Sequence, residues 1–157
     1  MRRTLVALVG AALACGIVTA ATAQAGNNVA KVRTDDARVN AAMAKARKTL
    51  PRFVRSYRER KPGDYSLKYR LRTGGRIEHI WVSGLQLKGD RFVGQLANTP
   101  VYTNRLRAGS QVTFGRDEVS DWMINAPEGI YGAYTVRALV HKLPKAQADA
   151  FRARFRD

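Results

Sequence analysis

The sequence predicts an α+β fold, in which a kinked N-terminal helix packs on a twisted antiparallel β-meander of about five strands, with short helices at the C-terminal end. Three observations predict it. Val39, Met43, Ala46, Leu50, Phe53 and Tyr57 recur at alternating spacings of four and three residues, which lines them along one side of a helix. Tyr65, Leu67, Tyr69 and Leu71 then alternate with Ser66, Lys68, Arg70 and Arg72, the two-residue period of a half-buried strand. Finally, Gly74-Gly75, Gly89-Asp90 and Asn98-Thr99-Pro100 separate apolar runs at hairpin spacing.

Taken in order, Thr34 is placed to cap the helix, with Asp35 and Asp36 in its first turn where a negative charge suits the helix dipole. Pro51 removes one backbone donor without changing the apolar phase, so a kink is expected there. Lys61-Pro62-Gly63-Asp64 ends the helix. The first strand follows, and Ile77 to Leu87 reads as a second strand with apolar residues on both faces. Phe92 to Leu96 is the third. A looser stretch from Val101 to Gly109 leads to strands over Gln111 to Phe114 and Val119 to Ile124. Ala126-Pro127-Glu128-Gly129 reads as a loop, Tyr134 to Lys142 as helical, and Pro144 as the first turn of a terminal helix that buries Phe151 and Phe155.

The N-terminus carries an export pattern. Arg2 and Arg3 precede an uncharged apolar stretch from Leu5 to Ala23, and Ala23-Gln24-Ala25 fits the small-residue site read by signal peptidase. Cleavage between Ala25 and Gly26 divides the chain into a signal peptide (1–25), a flexible lead (26–33) and one domain (34–157). The mature protein is then periplasmic or secreted and has no transmembrane span. An alternative uses Cys15: Ala12-Leu13-Ala14-Cys15 loosely follows a lipobox, and lipidation there would anchor the protein. Cleavage after Ala25 instead removes the sole cysteine, and the domain must rely on its core without a disulfide.

The whole chain has a formal net charge of +16, from 28 Lys and Arg against 12 Asp and Glu. The positive charge is concentrated. Between Lys45 and Arg76 twelve Lys and Arg face only Glu59 and Asp64, with Tyr57, Tyr65 and Tyr69 interleaved. Lys45, Lys48, Arg52 and Arg55 fall on the helix side away from the apolar stripe, and Lys68, Arg70 and Arg72 on the polar side of the first strand. Together they form a candidate anion-binding surface, against which stands a merely solvating basic face.

Catalytic motifs are absent from the pattern. His79 and His141 have no His or Cys at ligand spacing, which argues against a structural zinc site, and no metal or other cofactor is implied. Ser83, Ser110 and Ser120 sit in no nucleophile elbow, and the glycines at 74, 75, 129 and 132 form no phosphate loop. Glu78 and His79, adjacent in a strand, point to opposite faces and cannot act as a pair. His79 shares its face with Ile77 and Trp81, which predicts a semi-buried imidazole at the core edge. Asp121-Trp122 reads as a carboxylate satisfying backbone donors beside a large core anchor.

Several segments carry a family resemblance in order: Met43-Ala44-Lys45-Ala46-Arg47-Lys48-Thr49-Leu50 with Phe53, Glu78-His79-Ile80-Trp81-Val82, Gly94 with Asn98-Thr99-Pro100, Gly109-Ser110-Gln111-Val112, Asp121-Trp122, and Gly132-Ala133-Tyr134-Thr135-Val136-Arg137. In these the chain resembles the YegJ-like bacterial domains of unknown function (DUF2314). The resemblance implies a compact α+β domain and marks Glu78, His79, Trp81, Asp121, Trp122, Thr135 and Arg137 as motif positions; it supplies no catalytic residue. The basic helix face is not part of it.

These features lead to an exported, non-catalytic binding domain for an anionic envelope polymer, an anionic lipid surface or an acidic protein. Two alternatives stand beside it. One is an envelope-polymer hydrolase using His79 or Asp121; the other is an inhibitor or immunity-type protein for an exported enzyme, with aromatic anchors and an arginine rim.

Overall fold

In a computed structural model, residues 37–157 are described; the expected signal peptide, the lead segment and the expected Thr34-Asp35-Asp36 helix start lie outside them. The described chain runs as helix α1 (Ala37–Arg58), strands β1 (Asp64–Thr73), β2 (Arg76–Lys88), β3 (Arg91–Leu96) and β4 (Gln111–Gly115), a 3-10 turn (Arg116–Glu118), β5 (Val119–Ala126), β6 (Gly129–Gly132), α2 (Tyr134–Leu139), a second 3-10 turn (Val140–Lys142) and α3 (Lys145–Arg154). All six strands pair antiparallel in one sheet, ordered β4-β3-β2-β1-β5-β6.

Helix α1 is uninterrupted, with Pro51 inside it. Pro51 costs one backbone bond on the exposed side, while Ala46, Leu50, Phe53 and Val54 remain buried on either side of it. The helix reaches the sheet through aromatic rings: Phe53 meets Tyr65 edge-on at 5.5 Å and Trp122 at 5.9 Å. Trp122 is fully buried and donates its indole N–H to Ala46 O at 3.2 Å and Thr49 Oγ1 at 3.0 Å, so the largest core residue also has its polar atom satisfied.

Register decides which face of each strand is inside. Leu67 pairs with Val82 and Trp122, Tyr69 with Ile80, and Leu71 with Glu78, so the core face of β2 carries Glu78, Ile80 and Val82. The expectation that His79 sits half-buried beside Ile77 and Trp81 is corrected here: His79 is exposed and Ile77 is 41% exposed, because their face is turned away from α1. Both faces of β2 offer apolar residues, and only pairing with β1 selects between them.

The sheet curls over its own core. Tyr69 on β1 stacks on Phe114 of β4 at 4.7 Å, although two strands lie between them and three flat strand spacings would separate them by about 14 Å. A bulge in β2 between Ser83 and Gln86, where Gly84 has φ 60°, provides the bend. At Gly94 the curl leaves no room for a side chain, since a Cβ there would stand 2.6 Å from Val82 Cγ1.

One reading at the C-terminal end is also corrected. The stretch after Ala126 is not only loop, because Gly129–Gly132 adds β6 as an edge strand on β5. Four residues with two glycines carry too little alternation to show as a strand; the open edge of β5 supplies the pairing. Tyr134 to Lys142 divides into α2 and a 3-10 turn. Phe151 and Phe155 are half-buried and stack at 6.1 Å, and Phe155 forms a parallel bridge to Ile130.

Candidate functional site

The outer face of α1 is basic throughout. Arg38, Lys45, Arg47, Lys48, Arg52, Arg55 and Arg58 lie on α1, whose described residues include no carboxylate. Lys45, Lys48, Arg52 and Arg55 are all exposed. Two of them are partly engaged: the Lys45 amine stands over the Tyr134 ring at 5.1 Å, and Arg52 lies over Tyr131 at 5.2 Å and donates to Asp157 O at 2.8 Å. Beyond the helix, Arg58, Arg60 and Lys61 line an open depression of about 630 Å³ with Tyr57, Tyr65, Leu87 and Gly89. Sequence reasoning counted these three cations without assigning them a site. Arg58 continues the three-and-four spacing of the helix stripe and so carried a signal for it.

The strand cations do not share that face. Strand alternation puts Lys68, Arg70 and Arg72 opposite Leu67 and Leu71, and α1 packs on the Leu67 side. Lys68, Arg70 and Arg72 instead lie on the opposite face of β1, paired across the strand boundary with Trp81, His79 and Ile77. Arg72 is exposed and Arg70 half-buried.

Lys68 leads into a closed polar cluster. Its amine lies over the Trp81 ring at 4.8 Å and donates to Thr135 Oγ1 at 2.9 Å; Thr135 Oγ1 in turn donates to Asp121 Oδ2 at 2.6 Å. Asp121 is 0% exposed, and its two oxygens also accept from the backbone N–H groups of Trp122 (2.8 Å), Tyr134 (3.1 Å) and Thr135 (2.8 Å). The carboxylate thus ties the start of α2 to β5. A bulge brings it there: Ser120 is the extra residue between the pairs Lys68 with Asp121 and Tyr69 with Val119. Burial pushes the Asp121 carboxyl up from its ordinary value, opposed by the Thr135 hydroxyl, Lys68 and the backbone donors. Burial likewise pushes the Lys68 ammonium down, opposed by Asp121.

His79 is held at about 4, by desolvation among its neighbours first and then by the charges of Lys68, Arg70 and Arg47, so it is neutral at pH 7. The remaining motif positions hold the fold. Glu78, 8% exposed, accepts the Val101 N–H on both oxygens at 3.1 and 2.9 Å and so fixes the loop between β3 and β4. Arg137 donates to Gly132 O at 2.7 Å, to Ile130 O at 3.2 Å and to Arg156 O, and lies over Phe155 at 4.5 Å, clamping the C-terminal residues to β6.

This arrangement contains a buried, saturated carboxylate and an exposed, weakly basic imidazole on different strands, with cations between them. A family model described as "Uncharacterized protein conserved in bacteria (DUF2314)" matches residues 36–155. The chain belongs to that family. Among DUF2314 relatives, the uncharacterized protein YegJ of Escherichia coli (strain K12) is 28% identical over 113 residues, covering 72% of this chain and 74% of YegJ. A putative ankyrin repeat protein of Neisseria meningitidis serogroup B is 29% identical over 118 residues, or 69% of this chain, and the match spans 47% of that longer protein. No solved structure matches significantly. Among the described residues, no helix of this DUF2314 domain is long and apolar enough to cross a membrane.

Proposed function

We propose that this DUF2314 protein is an exported, non-catalytic binding domain that takes an anionic partner on the outer face of α1. The observation that carries the reading is that the described helix residues Ala37–Arg58 bear seven cations and no carboxylate. Lys45–Lys48, Lys48–Arg52, Arg52–Arg55 and Arg55–Arg58 are neighbours at three or four residues, and each like-charge pair costs about 0.2–0.5 kcal/mol. Such a stripe is an expense that solubility does not require, and a polyanion lying along it relieves the repulsion. The export pattern at 1–25 makes an envelope polymer, an anionic lipid surface or an acidic envelope protein the natural partner. The hydrolase alternative is weakened, since Asp121 has neither exposure nor a spare oxygen lone pair directed at solvent.

The test is retention of the protein on anionic vesicles, lipopolysaccharide and single-stranded DNA at low and high salt, beside a Lys48→Glu/Arg55→Glu variant. These two residues are chosen because their side chains are exposed. Selective retention of one ligand, reduced by high salt and at least about tenfold weaker in the variant, is expected. Retention that is equal in the variant removes α1 from the function.

A protein-facing reading has one observation of its own. Val101 (64% exposed), Tyr102 (43%) and Ile77 (41%) stand out near the β1–β2 hairpin, with Arg76 over the Tyr102 ring at 5.1 Å. Exposed apolar groups with an arginine beside an aromatic ring suit an inhibitor-type interface. Loss of a co-purifying protein partner on Tyr102→Ala, with vesicle binding intact, would favour that reading.

A further inference from the structure

The chain leaves α1 through a turn that a glycine would make with less strain. The Lys61 N–H donates to Ser56 O and the Arg60 N–H to Tyr57 O, each at 3.1 Å, the pair of bonds that closes a helix around one left-handed residue. That residue is Arg60, at φ 52°; among the described residues Ala133 is the one other non-glycine with a positive φ. Glycine is the usual occupant, because a Cβ crowds the backbone there. Holding a long side chain in that position is backbone strain, which gathers at sites of function.

Arg60 opens onto the depression at this end of α1, whose volume of about 630 Å³ is in the range of small-molecule sites. Arg58, Arg60 and Lys61 all line it and are all exposed to solvent. No carboxylate lines it. Those next to it in sequence are Glu59, Asp64 and Asp90; Glu59 is held by Lys61 at 3.0 Å and Asp90 by Arg116 at 3.5 Å. Among the described residues, Arg58 and Arg60 make no ion pair. The walls are tied down. The Tyr65 hydroxyl shares its hydrogen between Lys61 O at 2.9 Å and Ser56 O at 3.1 Å, and the Tyr57 hydroxyl donates to Leu85 O. The two rings meet edge-on at 5.4 Å, and Leu87 adds an apolar side.

We propose that this depression binds a phosphomonoester, with the guanidinium groups of Arg58 and Arg60 on the phosphate and the rest of the ligand against Tyr57, Tyr65 and Leu87. Charge selects the class. With Lys61 offset by Glu59, two unpaired guanidinium groups remain, which matches the charge of about −1.5 to −2 on a phosphomonoester at pH 7 and exceeds that of a carboxylate or a phosphodiester. The planar forks of the two arginines also match phosphate oxygens in geometry. The site shares Arg58 with the α1 stripe but does not depend on a polyanion lying along that stripe, since Arg60 and Lys61 stand beyond the helix.

The experiment is a calorimetric titration of the purified protein with phenyl phosphate, beside Arg60→Gly and Lys48→Glu. Saturable binding is expected. Arg60→Gly should weaken it at least about tenfold, while its melting temperature stays equal or rises because glycine suits the left-handed turn. Lys48 is ten residues from Arg58, about 15 Å along the helix and beyond the screening length of about 8 Å at physiological salt. Lys48→Glu should therefore leave phenyl phosphate binding within about twofold of the parent, which separates failure here from failure of the α1 reading. Phosphatidylcholine vesicles carrying phosphatidic acid, or phosphatidylglycerol as the diester control, distinguish the source of the phosphate. An Arg60-dependent preference for phosphatidic acid assigns it to a lipid headgroup; phenyl phosphate binding without that preference assigns it to a soluble molecule or a polymer end. No saturable binding of phenyl phosphate, equal affinity in Arg60→Gly, or a lower melting temperature in Arg60→Gly overturns the proposal.

Discussion

Replacing Asp121 by Asn tests whether the buried carboxylate is a structural tie or a group held ready for chemistry. The substituted side chain would keep one oxygen, which can still accept from Trp122 and Tyr134. Its amide would then face the Thr135 N–H and hydroxyl, now bonded at 2.8 and 2.6 Å, and four donor hydrogens would compete where two acceptor bonds had been. Each hydrogen bond to a charged acceptor contributes about 1.5–3 kcal/mol, so the direct loss is about 3–6 kcal/mol. Lys68 also loses its nearby counter-charge while its ammonium stays enclosed by Trp81 and Thr135. Against a total stability of about 5–15 kcal/mol, a loss of this size lowers the melting temperature by roughly 10–25 °C.

Urea unfolding followed by tryptophan fluorescence measures this loss, because Trp122 adjoins Asp121 and is fully buried. Lys68→Met provides the cycle. If the carboxylate and ammonium stabilise each other through Thr135, the cost of Asp121→Asn falls by at least about 0.5 kcal/mol in the Lys68→Met background. A loss under about 1 kcal/mol for Asp121→Asn, or strict additivity with Lys68→Met, refutes the structural account and returns Asp121 to the functional candidates.

Two further outcomes follow from the same contacts. His79 has a folded-state value of about 4, below its unfolded value of 6.5, so between these limits the unfolded chain binds more protons; stability is fully present above about pH 6.5 and declines as pH falls towards 4, and His79→Gln should flatten that part of the melting-temperature profile. An unchanged slope would mean that the cations around His79 do not act on it. Gly132 has φ 69°, and a Cβ there would overlap the Trp122 ring and carbonyl; Gly132→Ala should destabilise by at least about 3 kcal/mol in urea unfolding, from strained backbone and a displaced Trp122 together. A variant within about 1 kcal/mol of the parent would show that the core can yield at that point.

Much of the fold was legible because local patterns had one solution. The α1 stripe has a single apolar side, and β1 has one apolar and one polar face, so neither depended on partners to choose. Asp121-Trp122 was legible as a satisfied carboxylate beside a core anchor for a similar reason: a large indole next to a short acid leaves few other uses for either. The candidate surface was legible only as a list of cations. Lys68 illustrates why, since its position on a polar strand face suggested solvent, yet Trp81 and Thr135 enclose its amine. Those neighbours come from β2 and α2, and no periodicity within β1 reports on them.

The sequence by itself determined the family, the α+β class, the position of most elements and the concentration of positive charge, because these depend on residues close together along the chain. Tertiary structure alone decided which face of β2 is buried, that β6 exists, and that the helix cations and strand cations lie on different sides of the sheet. The physical reason is that strand register and sheet curl are set by contacts between distant segments. A single register choice, Leu67 against Val82 and Trp122, moves His79 out to solvent.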